Sequence, residues 1–587
     1  MTHPPHEEEA RELIDGADAP RSVELSQVAS PEIVVSAAAR RRLAAGLLTL
    51  LVAIGATYLV PGLQVFQPWK AGEDYLPFWN VVGREWLGQE QEILEQARRI
   101  AELQQMAQAP PSESARANAG GVSPAEDAGA EATSSREADA TPVAVPVYPE
   151  YRALEEEQQP PAVVIEGPEA LDYFYESLTL TELRYSNAIT RAGHWGDSVL
   201  GNDGVTSAIR RRLQARFGDS GHGFHVLGRY NMAYLHQGVR FEDRGGWRRC
   251  LIIFKCEPDG HYGYGGVSSA SAGGGTSFWA TAREGFGSRV SRFELWYARL
   301  PDGGKLQIKV DGRVERVVDT AAEHLGDGFV TIQVPDGPHE FEVRAIGGGL
   351  VRGYGAVLER DVPGVTWDGL ALIGSFTQRL DYQDPVHIAR QIARRDNDLL
   401  VFMLGGNDVQ RERMDLVRTM QPYEEEYRRV IRKFRAGKSK ASCLIMSLLD
   451  HGERVGAHEI RTRRIVPRMV ESQRKVALQE GCAFFDTFTA MGGEGSIGRW
   501  YRSKPALAGP DLAHATSVGH EVIAGLLVRA LMYGYAQFRE RQQGEPLPLD
   551  DHLSGWAGKE APIGGATEAR DRGLPGDAGA TLDAAKR

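Results

Sequence analysis

The sequence predicts an α/β fold: a doubly wound parallel β-sheet, interrupted by an inserted all-β module and preceded by one N-terminal transmembrane helix. Three observations lead to this prediction. Short apolar runs bounded by turn residues alternate with amphipathic helical stretches. In the middle of the chain, apolar and polar residues alternate between tight-turn sequences. Near the N-terminus, one long apolar run carries no charge.

The transmembrane helix is predicted from LAAGLLTLLVAIGATYLVPGL, which extends from Leu43 to Leu63. An α-helix rises about 1.5 Å per residue, so this run can cross a hydrocarbon core of about 30 Å. Because Arg40–Arg42 precede it, the positive-inside rule places residues 1–39 in the cytoplasm and the rest in the periplasm or outside the cell. A cleaved signal peptide and a buried core helix are the alternatives. The length of the polar segment before the run argues against the first.

Differences in apolar content divide the chain further. The stretch EWLGQEQEILEQARRIAELQQMAQA has apolar residues at helical spacing, whereas the Ala-, Ser-, Glu-, Pro- and Gly-rich stretch after it cannot bury enough surface to fold. The predicted segments are, in chain order, a disordered cytoplasmic tail (1–39), the transmembrane helix (40–65), a helical stalk (66–109), a disordered linker (110–160), the first part of the α/β domain (161–274), an inserted β-sandwich module of jelly-roll-like type (275–360), the second part of the α/β domain (361–541) and a disordered tail (542–587).

The parallel sheet is predicted from buried strands that alternate with helices. NAITRAGHWG is strand-like, and GVTSAIRRRLQARF follows it as a helix with apolar residues four positions apart. Further apolar runs occur in DLLVFMLGGND, SCLIMSLLD and CAFFDTF, and helical stretches such as YEEEYRRVIRKFRAG lie between them. This alternation is typical of a parallel sheet covered on both faces.

The β module is predicted from strict alternation of apolar and polar residues. SRFELWYARLPDGGKLQIKVDGRVERVVDT and GFVTIQVPDGPHEFEVRAIGGG show it, broken by PDGG, VDG and PDG. Such a pattern indicates antiparallel strands joined by tight turns. Trp296 and Tyr297 in this module can stack on a sugar, but core packing is the favoured interpretation.

Composition limits the partners. The chain has 587 residues, 42% of them hydrophobic, and a formal net charge of −12. No basic stripe carries interleaved aromatic residues, so no nucleic acid partner is predicted. The four cysteines form no Cys-x-x-Cys pair or zinc signature, and neither a metal nor a cofactor is predicted.

Two cysteine pairings are open. Cys443 and Cys482 lie in separate predicted strands that can be neighbours, and a disulfide is permitted beyond the membrane, although we expect buried free thiols. Cys250 and Cys256 point to the same face of a strand, so their pairing needs a turn between them.

The tripeptide Gly-Asp-Ser occurs twice and raises the question of a catalytic serine. Ser198 in HWGDSVLGNDG lies directly after a predicted strand and before a helix, where α/β sheets place their chemistry. Ser220 follows a helix that ends at the cap residue Gly218, and we interpret it as a turn residue. A serine hydroxyl is a weak nucleophile unless a base accepts its proton.

The remaining groups of a serine hydrolase site are found further along the chain. Asn407 in MLGGNDV follows an apolar strand, and its amide can donate to a developing oxyanion. PDLAHATSVGHEVIA places Asp511 and His514 three residues apart before the last helix, so the carboxylate can orient the imidazole that faces the serine. His520, inside that helix, is a weaker candidate.

The ordered set GDS, GGND and DLAH resembles the SGNH (GDSL) hydrolase superfamily. The resemblance implies an SGNH-type fold with Ser198, His514 and Asp511 as catalytic residues. It also implies an oxyanion hole made by the Ser198 N–H, the Asn407 amide and a glycine N–H. Gly374 in ALIGSFTQ is the preferred glycine, and Gly266 in YGGVSSASAGGG, upstream of the β module, is the alternative.

The arrangement of these blocks resembles, over about residues 170–540, the peptidoglycan O-acetylesterase-like branch, whose members carry an inserted carbohydrate-binding-like β domain. Two differences from the usual sequence of that branch are expected to affect the choice of substrate more than the catalytic triad. Val199 and Leu200 follow the serine where His-Thr is common, and Ser375-Phe376 follow Gly374 where Ala is expected.

The resemblance therefore implies a membrane-anchored serine esterase that removes O-acetyl groups from a cell-wall or secreted polysaccharide. Two alternatives remain. The same triad can transfer an acyl group to a sugar, which requires a membrane acyl-donor protein as partner. A non-catalytic glycan-binding scaffold that acts through the β module is the other.

Overall fold

The structure, a computed structural model, describes residues 145–285, 287–413, 419–456 and 459–553. The predicted transmembrane helix from Leu43 to Leu63, the cytoplasmic tail and the helical stalk lie outside the described residues. Among the residues that the structure describes, no helix combines the length and the apolar character that a membrane span requires.

Strands and helices alternate in the first and last parts of the described chain, and a run of strands lies between these two parts. The strands are β1 (Ile189–Gly196), β2 (Gly221–Val226), β3 (Val239–Asp243), β4 (Arg248–Leu251), β5 (Val267–Ser271), β6 (Thr276–Thr281), β7 (Val290–Arg299), β8 (Lys305–Val310), β9 (Arg313–Asp319), β10 (Gly326–Gly337), β11 (Glu340–Gly347), β12 (Val351–Glu359), β13 (Gly364–Ala371), β14 (Leu399–Met403), β15 (Ser442–Met446), β16 (Gly452–Arg454), β17 (Ile460–Thr462) and β18 (Ala483–Phe485). The helices are α1 (Glu155–Gln158), α2 (Asp172–Glu182), α3 (Gly204–Phe217), α4 (Pro385–Arg395), α5 (Gln421–Arg435), α6 (Ile465–Gln479), α7 (Thr487–Ala490), α8 (Ser496–Arg502), α9 (Ser517–Gln542) and α10 (Leu549–Leu553). Strands β2 to β13 lie between helices α3 and α4.

A parallel sheet with the strand order β13-β1-β14-β15-β18 forms the centre of the α/β domain. Its side chains alternate between two apolar cores. Leu399 and Val401 of β14 pack with α3 and α9, whereas Leu400 and Phe402 pack with α5 and α6 on the opposite face. The predicted parallel sheet with helices on both faces is confirmed.

Two antiparallel sheets form a β module between α3 and β13. One has the order β10-β7-β12-β5-β4, with β2 also paired to β12, and the other has the order β3-β6-β11-β8-β9. The sheets meet where Phe293 of β7 stacks on Phe341 of β11, with ring centroids 4.3 Å apart. Trp296 and Tyr297 are both buried, as the core-packing interpretation of these side chains requires.

The β module begins earlier than the predicted boundary at residue 275. Strands β2 to β5, within residues 221–271, pair with the later strands of both sheets, so the insertion starts shortly after α3. These four strands are short and separated by glycine-containing loops, which leaves too few alternating positions for the pattern to be recognised.

The folded part of the chain is also longer at both ends than predicted. The N–H of Tyr148, in the predicted linker (110–160), donates to the Glu545 carbonyl at 2.8 Å. Glu545 and the buried Leu547 lie in the predicted disordered tail (542–587). Isolated apolar side chains in otherwise polar segments fix both to the domain.

Both pairs of cysteines form disulfides, and for Cys443 and Cys482 this corrects the expectation of free thiols. Cys443 on β15 bonds to Cys482 directly before β18, and these two strands are neighbours in the parallel sheet. Cys250 and Cys256 pair because a short 3-10 turn lies between them, with their Cα atoms 5.8 Å apart.

A buried ionic network joins the β module to the parallel sheet. Glu359 on β12 accepts hydrogen bonds from Arg191 on β1, Arg292 on β7 and Arg395 on α4. Arg395 also donates to Asp368 on β13, with an Nε–Oδ2 distance of 2.7 Å. All five side chains are buried, so each charge depends on partners of opposite sign, and Arg292 also pairs with Asp361 at 3.5 Å.

Candidate active site

The carboxyl ends of β1 and β14 lie side by side, because the two strands pair in parallel. Ser198 begins a one-turn 3-10 helix after β1, and Asn407 follows β14 in a glycine-rich loop. Asp511 and His514 lie in the loop before α9. Residues up to 316 positions apart in the sequence thus meet at one edge of the sheet.

Ser198, His514 and Asp511 form a continuous hydrogen-bonded chain. The Ser198 Oγ is 2.6 Å from the His514 Nε2, and the His514 Nδ1 is 2.7 Å from the Asp511 Oδ2. A carboxylate can only accept, so Nδ1 carries the proton and Nε2 is left to accept from the serine hydroxyl. The Asp511 Oδ1 accepts the N–H groups of Ala513 and His514, both at 3.1 Å, which fixes the carboxylate.

The interaction between His514 and Asp511 shifts the pKa values of both side chains. The hydrogen bond that His514 donates to Asp511 raises the pKa of the imidazole above its ordinary value, against the effect of burial. Burial opposes ionisation of Asp511, but hydrogen bonds from His514 and from two backbone N–H groups lower the pKa of this carboxyl to about 2. His514 is therefore a stronger base than a free imidazole, beside a carboxylate that stays ionised.

Two buried aspartates hold the loops that carry Ser198 and Asn407. Asp197 accepts the Val199 N–H at 3.1 Å and the Gly406 N–H at 2.9 Å, so one carboxylate joins both loops. Asp408 accepts from the N–H and the hydroxyl of Thr377, at 2.8 and 2.9 Å. The acidic residue in each motif thus explains how the loops keep their positions, a role that the sequence reasoning missed although both residues lie inside the quoted motifs.

The candidate oxyanion donors differ in their availability. The Asn407 amide donates to the Ser375 carbonyl at 3.1 Å, next to Gly374. Gly374 is exposed with φ +83°, and its N–H donates to no group in the described part of the chain. The Gly266 N–H already donates to the Gly263 carbonyl at 3.1 Å, within a turn of the β module. Gly374 is thus joined to Asn407 through the neighbouring Ser375, whereas the N–H of Gly266 is used within its own turn.

A cavity of about 250 Å³ opens beside the serine. Its wall includes Ser198, Asn407, Asp511 and His514 but neither Gly374 nor Gly266. Its apolar lining consists of Val199, Met403, Leu404, Val409, Leu448, Leu449, Leu512 and Ala513, and its other polar side chains are Asp197, Gln410, His451 and Arg463.

His451 and Arg463 were not recognised in the sequence. His451 belongs to the polar pair Asp450-His451, which follows the apolar run containing β15 and so offers the same signal as Asn407 after β14. Arg463 follows β17 and carries no motif, so its sequence context gives no indication of the cavity.

The second Gly-Asp-Ser copy and the helical histidine lie away from the cavity. Ser220 is buried and its hydroxyl donates to the Val362 carbonyl at 2.6 Å, as expected of a turn residue. His520 is buried against Gly204, and burial lowers its pKa to about 4. Neither side chain lines the wall that carries Ser198.

One cluster outside the cavity has a metal-like composition. The nitrogen and oxygen atoms of His261, Asp327 and His387 lie within 4.8 Å of one another. However, the His387 Nε2 accepts the Gly263 N–H at 2.8 Å, and its Nδ1 is 2.8 Å from the Asp327 carboxylate. The Nε2 of His387 is therefore committed to the backbone, whereas its Nδ1 faces the Asp327 carboxylate without hydrogen-bond geometry.

Comparisons with known proteins agree with this geometry. Residues 335–522 match the family model described as GDSL-like lipase/acylhydrolase. A solved structure described as a peptidoglycan O-acetylesterase in action is 18% identical, with a TM-score of 0.51, and the match covers 60% of this chain and 93% of that one. The family match over residues 335–522 supports the resemblance to the SGNH (GDSL) hydrolase superfamily that was drawn from the motifs.

Other solved structures match more weakly. An acetylxylan esterase from Geobacillus stearothermophilus is 19% identical over 29% of this chain and 73% of its own, with a TM-score of 0.22. A salicylyl-acyltransferase from a tetracycline biosynthetic pathway is 15% identical over 50% of this chain and 93% of its own, also with a TM-score of 0.22. No curated protein matches the chain significantly.

Proposed function

We propose that the protein is a serine esterase that removes O-acetyl groups from a cell-wall or secreted polysaccharide. The family model that matches residues 335–522 describes lipases and acylhydrolases, so cleavage of an ester bond is the coarser expectation. The observation that carries the proposal is the hydrogen-bonded chain from Ser198 Oγ through His514 to Asp511, with distances of 2.6 and 2.7 Å.

The reaction follows from this chain of hydrogen bonds. Ser198 Oγ attacks the acetyl carbonyl carbon while the His514 Nε2 takes its proton, and Asp511 stabilises the imidazolium that forms. The tetrahedral intermediate collapses, His514 returns the proton to the departing sugar oxygen, and an acetyl-serine remains. Water, deprotonated by His514, attacks this ester and releases acetate.

The oxyanion of each tetrahedral intermediate is proposed to accept from the N–H groups of Ser198 and Gly374 and from the Asn407 amide. The amide nitrogen of Asn407 has two protons, and one of them is held by the Ser375 carbonyl. This bond fixes the orientation of the amide and leaves the second N–H to donate. A donor that is already oriented needs no reorganisation when the charge develops.

The dimensions of the site suit a small acyl group on a large alcohol. A cavity of about 250 Å³ is smaller than the roughly 300–1,000 Å³ of pockets that enclose whole small ligands. The side chains of His514 and Asp511 are about half exposed, at 50% and 51%. An acetyl group fits the cavity, and a polymer can lie across its open side.

We also propose that the catalytic part of the protein lies outside the cytoplasm. The uncharged run from Leu43 to Leu63, with arginines before it, supports an N-terminal anchor with the catalytic part beyond the membrane. The two disulfides support the same side, because disulfides persist in oxidising compartments and are rare in the cytosol.

Acetate release by the full-length protein from a chromogenic acetate ester and from acetylated polysaccharides tests the proposal. Ser198→Ala should lower kcat by about 10⁶-fold, as in other serine hydrolases that lose the nucleophile, while the matched variant Ser220→Ala keeps its turnover. Normal turnover by Ser198→Ala would refute the assignment.

An added sugar acceptor separates the alternatives. An acyltransferase would acetylate the acceptor faster than it releases acetate, whereas a glycan-binding scaffold would bind the polysaccharide without any Ser198-dependent acetate release.

A further inference from the structure

Among the residues that the structure describes, Arg463 presents a cation to the cavity without an acidic partner. Its side chain is half-buried on the wall that also carries Ser198 and His514. Its Nε donates weakly to the Gly452 carbonyl at 3.4 Å, and its terminal nitrogens contact no hydrogen-bond or ion-pair partner among the described residues. By contrast, Arg461, two residues earlier, pairs with Glu453 at 2.7 Å.

The position of Arg463 is fixed by its backbone. Its N–H donates to the His451 carbonyl at 2.8 Å, and its carbonyl accepts the Val466 N–H at 3.0 Å at the start of α6. Gly452, the residue after His451, donates its N–H to the Leu512 carbonyl at 2.8 Å. Leu512 lies in the same loop as His514. The guanidinium is therefore anchored to the loop that carries the proposed base.

His451 adds a neutral acceptor beside this cation. Its Nδ1 is 2.9 Å from the Leu449 carbonyl, which can only accept, so Nδ1 carries the proton and Nε2 has a free lone pair. Nε2 lies 3.3 Å from the position that a Cβ on Gly406 would occupy, on the cavity wall. Burial lowers the pKa of His451 to about 4, so the ring is uncharged at neutral pH.

The carboxylates of the cavity are committed to other groups. Asp197 accepts the backbone N–H groups of Val199 and Gly406, and Asp511 is bonded to His514. Neither balances Arg463. A half-buried guanidinium with its planar donor face open matches an anionic group of a ligand, because two parallel N–H donors can bind the two oxygens of a carboxylate.

We infer that Arg463 binds a carboxylate on the sugar next to the acetyl ester, so that the preferred substrates are acidic, carboxylate-bearing O-acetylated polysaccharides. This inference rests on the proposed esterase function and deepens it. A carboxylate is favoured over a phosphate because one cation beside a neutral imidazole balances a single negative charge, whereas a phosphate monoester carries about two. The His451 Nε2 accepts from a neighbouring sugar hydroxyl.

Two matched substrates test the inference: methyl glycosides of glucose and of glucuronic acid, acetylated at the same hydroxyl. For the full-length wild type, kcat/KM for the acidic substrate should exceed that for the neutral one by about tenfold to a hundredfold, as expected of one charge-assisted hydrogen-bonded pair. Arg463→Gln should reduce this ratio to about 1, chiefly through KM. Arg463→Lys, which keeps the charge, should retain part of the ratio, and added salt should lower it in the wild type.

Arg461→Gln is the matched control, because this exposed arginine lies on the same hairpin and should keep the wild-type ratio. A wild-type ratio near 1, or an equal loss on both substrates in Arg463→Gln, would overturn the inference. If the wild type releases acetate from neither substrate, the proposed function fails. The inference is then decided by calorimetry with methyl glucuronide, which should bind the wild type more than tenfold tighter than Arg463→Gln; equal affinities would overturn it.

Discussion

Two clusters of charged side chains on the same parallel sheet are arranged in opposite ways. In the ionic network around Glu359, three arginines and two carboxylates are buried and each charge contacts partners of opposite sign. In the candidate active site, His514 and Asp511 are half exposed, and among the described residues the Nε2 of the imidazole forms a hydrogen bond only with the serine hydroxyl.

The difference shows how the molecule separates stability from chemistry. The Glu359 network resists titration, because Arg191, Arg395 and Arg292 hold the pKa of the carboxyl far below its ordinary value despite burial. The pKa of His514 is raised mainly by its hydrogen bond to Asp511 and to a smaller extent by the charge of Asp197, and burial opposes this rise. A group that must take up and release a proton in every turnover needs the second arrangement.

Among the variants that test this difference between the two clusters, Asp511→Asn should have the largest effect. The variant loses the charge that stabilises the imidazolium and the acceptor that sets the tautomer, so kcat should fall by about 10⁴-fold. Because the carboxylate raises the pKa of His514, its removal should also shift the acid limb of the kcat/KM profile to lower pH. Acetate release measured between about pH 5 and pH 9 reports both effects. An acid limb that stays in place or moves to higher pH would contradict the assigned role.

Glu359→Gln should have the second-largest effect, and this effect should be on stability instead of turnover. Removing one partner of a buried network leaves charges uncompensated, and the free energy of unfolding should drop by about 3–5 kcal/mol in urea. Since the folded pKa lies below the ordinary value, the wild-type advantage should be complete above about pH 5 and lost as the pH falls further.

Glu342→Gln is the matched control for this stability measurement. Glu342 also contacts two cations, Arg244 and Lys309, but near the surface of the β module. Its loss should cost less than about 1 kcal/mol. Equal losses in the Glu342 and Glu359 variants would show that burial does not distinguish the two networks.

Asn407→Ala should have the third-largest effect, because this variant should lose stabilisation of the transition state only. The amide donates to charge that develops only during the reaction, so kcat should fall by about 10²–10³ while KM changes little. Steady-state kinetics on a chromogenic acetate ester measures both constants. A rise in KM at unchanged kcat would instead assign Asn407 to ground-state binding.

The sequence was most informative where a motif coincides with a strand end. Ser198 and Asn407 each follow a buried apolar run directly, and parallel pairing of those runs is enough to bring the side chains together. Asp511 and His514 are close in sequence, so one loop turn accounts for their contact. Local sequence patterns were therefore enough to predict most residues of the candidate site.

What the sequence did not predict depends on contacts between distant segments. The Cys443–Cys482 bond follows from the adjacency of β15 and β18, which no local pattern encodes. The β module begins at β2, whose strand character is fixed by pairing with β12 far along the chain. Arg463 reaches the cavity only because its hairpin is bonded to the loop of Leu512.

Labelling with a serine-directed fluorophosphonate, followed by peptide mapping, tests the central claim most directly. The reagent reacts only with a hydroxyl that a neighbouring base activates. The account predicts a stoichiometric adduct on the peptide that contains Ser198, none on the peptide that contains Ser220, and loss of labelling in His514→Ala. An unlabelled Ser198 in folded protein, or an adduct on a different serine, would contradict it.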